Sequence, residues 1–234
     1  MYEINDLPAP VAPELLELLR KCRTESIGHH RHWGCVHGSI KPVMPERRVV
    51  GTAVTVACPG HDSSMIPYAI GMLRPGDILV IDRLGDNRNA CWGGGTTLAA
   101  KLTGAAGVVI DGPSTGASRF REFDFPAWLR GFSPITCHPY GSGGAINIPI
   151  CVGGAAVLPG YAVLADESGV IVLPPEDVRY LAEMALDRQD RQPANFERMR
   201  QGQKPADRLG LTDKIKSAAE AERSAREAAQ NKKT

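Results

Sequence analysis

The stretch that most constrains this chain runs from Asn89 to Gly116, NACWGGGTTLAAKLTGAAGVVIDGPSTG. Gly93, Gly94 and Gly95 lead into Thr96, Thr97 and the helix-compatible LAAKL, and Gly104 and Gly107 then break the pattern. The apolar run Val108-Val109-Ile110 follows and stops at Asp111-Gly112. The stretch therefore reads as glycine loop, helix, turn, buried strand and site loop. Glycines ahead of a helix let the backbone approach a ligand closely, and the first helical N–H groups have no internal partner. Together with the positive end of the helix dipole, such donors suit a carboxylate or phosphate. A tight turn that binds nothing accounts for the same residues equally well.

The flanking segments supply the rest of a sheet. Pro13 opens a helix, PELLELLRKC, with Leu15, Leu16, Leu18 and Leu19 as its apolar stripe. TESIGHHRHWGCVHGSI then holds His29, His30, His32 and His37, which could ligate a metal but match no zinc spacing, or could be polar residues of a helix and turn. Val49 to Val56 is a β-branched strand, and DSSMIPYAIGML is a helix with Pro67 in or near its first turn. The turn Arg74-Pro75-Gly76-Asp77 precedes the strand ILVID, which ends in the polar loop Asp82 to Arg88. That loop could bind a polar substrate or ion, or form a solvated salt-bridge cluster.

After Asp111, SRFREFDFPAWLRG predicts a short amphipathic piece and a strand at Ala127 to Leu129, followed by a second glycine cluster from Gly141 to Gly144. INIPICVGGAAVLPGYAVLADESGVIVLPP alternates strands with glycine-proline turns, and Glu176 to Arg188 reads as a helix with Val178, Leu181, Ala182, Ala185 and Leu186 on one face. From Gln201 the chain turns rich in alanine and charge, as a solvent-exposed or partner-clasping helix would. Two αβ units followed by a run of strands predict one mixed-sheet α/β domain over 1–200, with ILVID and GVVID parallel across the LAAKL helix, and a charged helical tail over 201–234.

Composition narrows the function. A hydrophobic content of 43%, a charged content of 23% and a net charge of +1 give no reason to expect nucleic acid or an anionic membrane as partner. No apolar run approaches the roughly 20 residues of a membrane span, and MYEINDLPAP has no secretory pattern. The six cysteines show no CxxC spacing and read as reduced thiols of a cytoplasmic protein.

The order RVVGTAVTV, LRPGDILVID, ACWGGGTTLAAKLTGAAGVVIDG, FPAW, INIPICVGG, VLPG and ADESGVIVLPP resembles the RraA-like family, over roughly residues 45 to 175. That family includes the divalent-metal-dependent 4-hydroxy-4-methyl-2-oxoglutarate and 4-carboxy-4-hydroxy-2-oxoadipate aldolases and the RraA regulators of ribonuclease E. The resemblance implies an α/β/β sandwich, here with a C-terminal helical extension, assembled as trimers or hexamers with sites between subunits. It also implies magnesium or manganese as cofactor. The aldolases carry an acid just after the tryptophan-glycine pair and, twenty residues later, Arg-Asp; aligned on Trp92-Gly93 and Phe125-Pro126, those positions are Gly94, Thr115 and Gly116.

Three readings follow from the resemblance and this departure. A lyase of the aldolase or decarboxylase type would act on a carboxylated 2-oxo or hydroxy-oxo acid, with a metal held by other groups such as Asp86, Asp111 or His29. His29 falls where family members often place an acid. A metal-independent enzyme would use the same pocket, with Arg88 or Arg119 supplying positive charge. A non-catalytic relative would bind a ribonuclease as the regulators do. The expected substrate-binding residues are Gly93, Gly94, Gly95, Thr96, Asp86 and Arg88; the expected catalytic ones are Asp111, Thr115, Arg119 and His29, and the metal ligands stay open.

Overall fold

The computed structural model describes residues 1–231. The first half of the chain forms β1 (Tyr2–Ile4), α1 (Pro13–Arg20), α2 (Thr24–Gly28), β2 (Lys41–Pro42), β3 (Val49–Ala57), α3 (Met65–Met72), β4 (Asp77–Asp82), α4 (Gly94–Leu102) and β5 (Gly107–Ser114). Then come α5 (Ala117–Glu122), β6 (Ala127–Phe132), β7 (Gly144–Ile146), β8 (Ile150–Val152), β9 (Ala155–Val157), β10 (Ala162–Asp166) and β11 (Gly169–Leu173). Three helices close the chain: α6 (Pro175–Arg200), α7 (Pro205–Arg208) and α8 (Leu211–Asn231).

β3 is the hub of the main sheet, and every one of its residues is buried. It pairs in parallel with β4 along one edge; along the other it takes β10 antiparallel over Val49 to Thr52 and β7 antiparallel at Val56 and Ala57. β4, β5 and β6 continue in parallel, so the two expected βα crossovers through α3 and α4 are present. A strand covered on both faces reads as an unbroken apolar run, which is how VVGTAVTVA and ILVI appear in the sequence.

Side chains alternate between two cores. Val54, Leu79, Val108 and Ile110 face Ile66 and Ile70 of α3, Ala100 of α4 and Phe120 of α5. Ala53, Val80, Val109 and Trp128 face the β8–β9 hairpin and β10–β11 through Val152, Val157, Val163 and Val172. This is the α/β/β sandwich. A third cluster packs Leu19 of α1, Ile27 of α2, and Val178 and Leu181 of α6 on Leu164 and Ile171.

Several boundaries differ from the sequence reading. β5 does not stop at Asp111 but runs to Ser114, because a register shift between Ile110 and Pro113 lets the strand absorb a proline. β6 extends to Phe132, and the short strands β1 and β2 carry no periodic signal long enough to read. α6 passes Arg188 and continues through Pro193 to Arg200, at the cost of one backbone hydrogen bond. The chain divides into two compact units, Met1–Leu186 and one beginning at Asp187. None of the described residues of that second unit is buried. No helix among the described residues is long and apolar enough to cross a membrane.

The turn between β10 and β11 is fastened by Asp166, fully buried, which accepts the Thr24 amide at 2.9 Å, the Thr24 hydroxyl at 2.5 Å and the Ser168 amide at 2.9 Å. Asp166→Ala leaves these buried donors unmet. It is expected to lower stability by about 3 kcal/mol, read as a reduced urea midpoint with unchanged m.

Candidate functional site

The glycine loop stands where β4 has ended and α4 begins. Trp92, buried, stacks on Phe125 with ring centroids 6.2 Å apart and donates from its indole nitrogen to the Thr97 hydroxyl at 2.9 Å. The Thr97 and Thr96 hydroxyls both donate to the Gly93 carbonyl, at 2.8 and 2.7 Å. The Thr96 hydroxyl also accepts the Gly93 amide at 2.8 Å, as half of a capping box. Gly93 is thus capped internally and removed from the expected set of anion donors. Among the described residues the amides of Gly94, Gly95 and Thr96 have no protein acceptor. They are the free donors at the start of α4. A methyl group added at Gly95 would meet nothing within 4 Å, so a side chain could be carried there.

The end of β5 closes on this loop. The Thr115 amide and the Ser114 hydroxyl both donate to the Trp92 carbonyl, at 2.9 and 3.0 Å. A methyl on Gly93 would lie 3.0 Å from Thr115 Cγ2. Gly116 has φ +70° and starts α5; a methyl there would stand 4.0 Å from the Gly94 nitrogen. Gly94, Thr115 and Gly116, where the resemblance implied an acid and an Arg-Asp pair, therefore do meet. Because the chain turns helical immediately afterwards, Arg119 comes back over the loop: a methyl on Gly94 would be 2.9 Å from Arg119 Cγ. The Arg119 head pairs with Glu122 at 2.5 Å, with both side chains about half exposed.

The other expected residues are engaged elsewhere. Asp86 Oδ1 accepts the amides of Arg88 and Asn89, at 2.8 and 3.1 Å, and Oδ2 accepts Arg83 at 3.0 Å and the Asn89 side chain at 2.9 Å. Asp86 holds its loop together and offers no free oxygen to a substrate. Arg88 is exposed and makes no side-chain bond among the described residues. Asp111 accepts Arg130 and, at 2.7 Å, the Gly153 amide, on the sheet face turned towards the β8–β9 hairpin and away from α4. His29 caps α2, whose Thr24 is bonded to the β10–β11 turn beside the N-terminal end of β3, whereas the glycine loop lies beyond the C-terminal end of β4. Within one chain His29 and the loop lie at opposite ends of the sheet.

These residues do not make a site for magnesium or manganese within one chain. The three aligned positions carry no carboxylate, and among the described residues no group of three or more His, Cys, Asp or Glu could hold a metal ion.

A residue of the polar loop Asp82 to Arg88, given no role of its own above, organises this end of the sheet. Arg83 is fully buried and donates to the Cys58 carbonyl and sulfur at 2.9 and 3.0 Å, to Cys137 sulfur at 3.2 Å, to Asp86 and to the Gly60 carbonyl. Its Nε has no partner. Burial pushes the Cys58 thiol up to about 11, against the pull of Arg83, so the sulfur accepts as a neutral thiol. The signal that could have found Arg83 is Gly112 on the adjacent strand, where a methyl would lie 2.6 Å from Arg83 Cγ.

Nearby Asp62, also buried, accepts the Ser64 amide and hydroxyl at 2.7 and 2.5 Å and the Ser142 amide. Burial alone would raise its pKa, but these bonds outweigh burial and hold it well below the usual carboxylate range. Asp86 is held down in the same way, burial being offset by the Arg88 and Asn89 donors and the Arg83 charge. A depressed native pKa contributes stability that is present above the unfolded value of about 4 and is lost as pH falls towards the native one. Asp62→Asn is expected to unfold at lower urea at pH 7 and to show a flatter loss of stability between pH 5 and 2 than the parent, in urea titrations across that range.

The family model described as RraA-like, Aldolase/RraA, matches residues 24–172. A putative 4-hydroxy-4-methyl-2-oxoglutarate aldolase of Halalkalibacterium halodurans is 35% identical over 136 residues, 58% of this chain and 64% of the relative, so the match spans just under two thirds of that relative's length. A 4-hydroxy-4-methyl-2-oxoglutarate aldolase of Thermus thermophilus is 32% identical over 121 residues, 51% of this chain and 73% of the relative. The crystal structure of Streptomyces coelicolor RraAS2, described as an unusual member of the RNase ES inhibitor RraA protein family, superposes with a TM-score of 0.70 at 26% identity, covering 83% of this chain and 99% of the other. With its sandwich, its glycine loop and a matched span running from α2 into β11, and with Gly94, Thr115 and Gly116 where the resemblance implied an acid and an Arg-Asp pair, the chain belongs to the RraA-like family.

Proposed function

We propose that the protein is a small-molecule lyase of the aldolase or decarboxylase type, acting on a carboxylated 2-oxo or hydroxy-oxo acid. The observation that carries this reading is the set of three unpaired amides, Gly94 to Thr96, at the start of α4, with the stem of Arg119 passing over Gly94. A substrate carboxylate takes the amides, where the helix dipole adds to the hydrogen bonds. Breaking a carbon–carbon bond next to a keto acid leaves an enolate, and a guanidinium beside the keto oxygen stabilises the charge as it develops. Arg119 can be redirected to that oxygen at little cost, because an exposed pair such as Arg119–Glu122 contributes at most about 1 kcal/mol. Thr115 adds a hydroxyl where the resemblance implied an arginine. Magnesium or manganese, the family's implied cofactor, finds no donor set in one chain, and no step here uses it.

The relatives named as aldolases support the reaction class, and RraAS2 supports a second reading: a binding regulator that keeps the cradle without turnover. The neutral residues at Gly94, Thr115 and Gly116 favour this second reading over a metal-dependent enzyme. A homotrimer or homohexamer accompanies either one.

A coupled assay of pyruvate release from oxaloacetate and 4-hydroxy-2-oxo acids, with and without chelator, decides among them. Turnover that survives chelator is expected; loss with chelator restores a metal, and no turnover with any acid favours the regulator. Arg119→Ala is expected to lower kcat/KM by about 100-fold, the scale of losing one oxyanion donor. Gly95→Leu, whose side chain enters open space, should keep the parent's thermal midpoint while losing binding of oxalate, measured by calorimetry. Oxalate affinity unchanged in Gly95→Leu would remove the cradle from the site.

A further inference from the structure

The motif Arg31-His32-Trp33-Gly34-Cys35 takes no part in the site above, yet it borders a hollow of about 410 Å³, within the range of small-molecule sites. The small residues Ala155 and Ala156 and the side chain of Tyr161 also line it. The motif is fixed to β11: Gly34 accepts the Val172 amide at 2.8 Å, and the Val36 amide donates to Val170 at 2.9 Å. Gly34 has φ +77°, and a methyl there would lie 2.3 Å from the Val172 carbonyl oxygen, so only glycine fits.

Arg31 is a built feature of this hollow. Its side chain is only 9% exposed; Nη1 donates to Asp177 at 2.5 Å and Nε to the Trp33 carbonyl at 3.3 Å. Among the described residues Nη2 has no protein acceptor, and Arg31 lines the hollow. The guanidinium carbon lies 4.8 Å from the Trp33 ring centroid, which holds the indole in place. Trp33 is nevertheless 67% exposed, so much of the ring has no covering.

We propose that this hollow is a second binding site, taking a planar carboxylate about one aromatic ring in size, with the carboxylate on Arg31 Nη2 and the ring against Trp33. Two free N–H donors on a nearly buried guanidinium call for an acceptor. Asp177 already neutralises much of the Arg31 charge, so a bare inorganic anion gains little, and ring stacking must supply the remainder. A cation is disfavoured by the same donors. The site shares no residue with the glycine loop and stands or falls independently of the proposed lyase activity.

Benzoate is the probe. Trp92 and Trp128 are both buried, which makes Trp33 the solvent-facing fluorophore. Benzoate is expected to quench it saturably, with matching heat by calorimetry. Cyclohexanecarboxylate, not planar, and benzamide, uncharged, should each bind at least fivefold more weakly. Arg31→Gln and Trp33→Ala should each weaken benzoate at least tenfold. Ala156→Phe, which fills the hollow and leaves the Arg31–Asp177 pair intact, should abolish binding with an unchanged thermal midpoint and unchanged pyruvate release. No saturable binding of benzoate to the parent, or equal affinity in Ala156→Phe, overturns the proposal.

Discussion

One buried positive charge holds together the end of the sheet that carries the glycine loop. The Arg83 guanidinium reaches the turn after β3 through Cys58 and Gly60, its own loop through Asp86, and the segment before β7 through Cys137. Burying an arginine is unfavourable unless its donors are met, and here carbonyls, thiols and one carboxylate meet the two terminal nitrogens, with Nε left over. The neighbouring strand must give way for this, which it does at Gly112. The loop from Arg83 to Trp92 therefore has a fixed start, and stacking on Phe125 fixes its end. The glycine loop inherits its position from those two anchors.

The sheet was legible where chemistry repeats along the chain. Runs such as VVGTAVTVA and GVVI declare strands covered on both faces, and LAAKL between two of them declares a parallel crossover. What stayed hidden depended on partners far away in sequence. β2 is two residues long and exists because Lys41 and Pro42 meet Leu129 and Trp128. Asp111 looked like a site residue at a strand end, yet the strand runs on and its carboxylate is used by Arg130 and the Gly153 amide. Asp86 read as a substrate or metal contact, and Arg83 as part of a polar loop of open role, because nothing local shows that Cys58 and Cys137 close over Arg83.

Within the site, the backbone was more legible than the side chains. Glycines before a helix mark free amides, and Gly94 and Gly95 supply them. The exception is Gly93, whose amide is taken by Thr96 because a threonine at the third helical position reaches back to the cap. Arg119 needed the left-handed turn at Gly116 to be known before its return over Gly94 could be read.

That turn also bears on how charge is distributed at the site. With glycine at 94 and 116, neither position brings a carboxylate to the start of α4, and the residue that passes over Gly94 is Arg119. An acid at either position would neutralise the helix terminus directly and compete for the amides that a substrate carboxylate needs. Glycine at 94 and 116 and the Arg119 guanidinium therefore act in the same direction in the proposed cradle, which would be complementary to an anion. Glu122 is the counterweight: by pairing with Arg119 in the free protein it lowers the repulsion between guanidinium and helix terminus, and it lies on the exposed side where solvent can take over when the arginine turns inward.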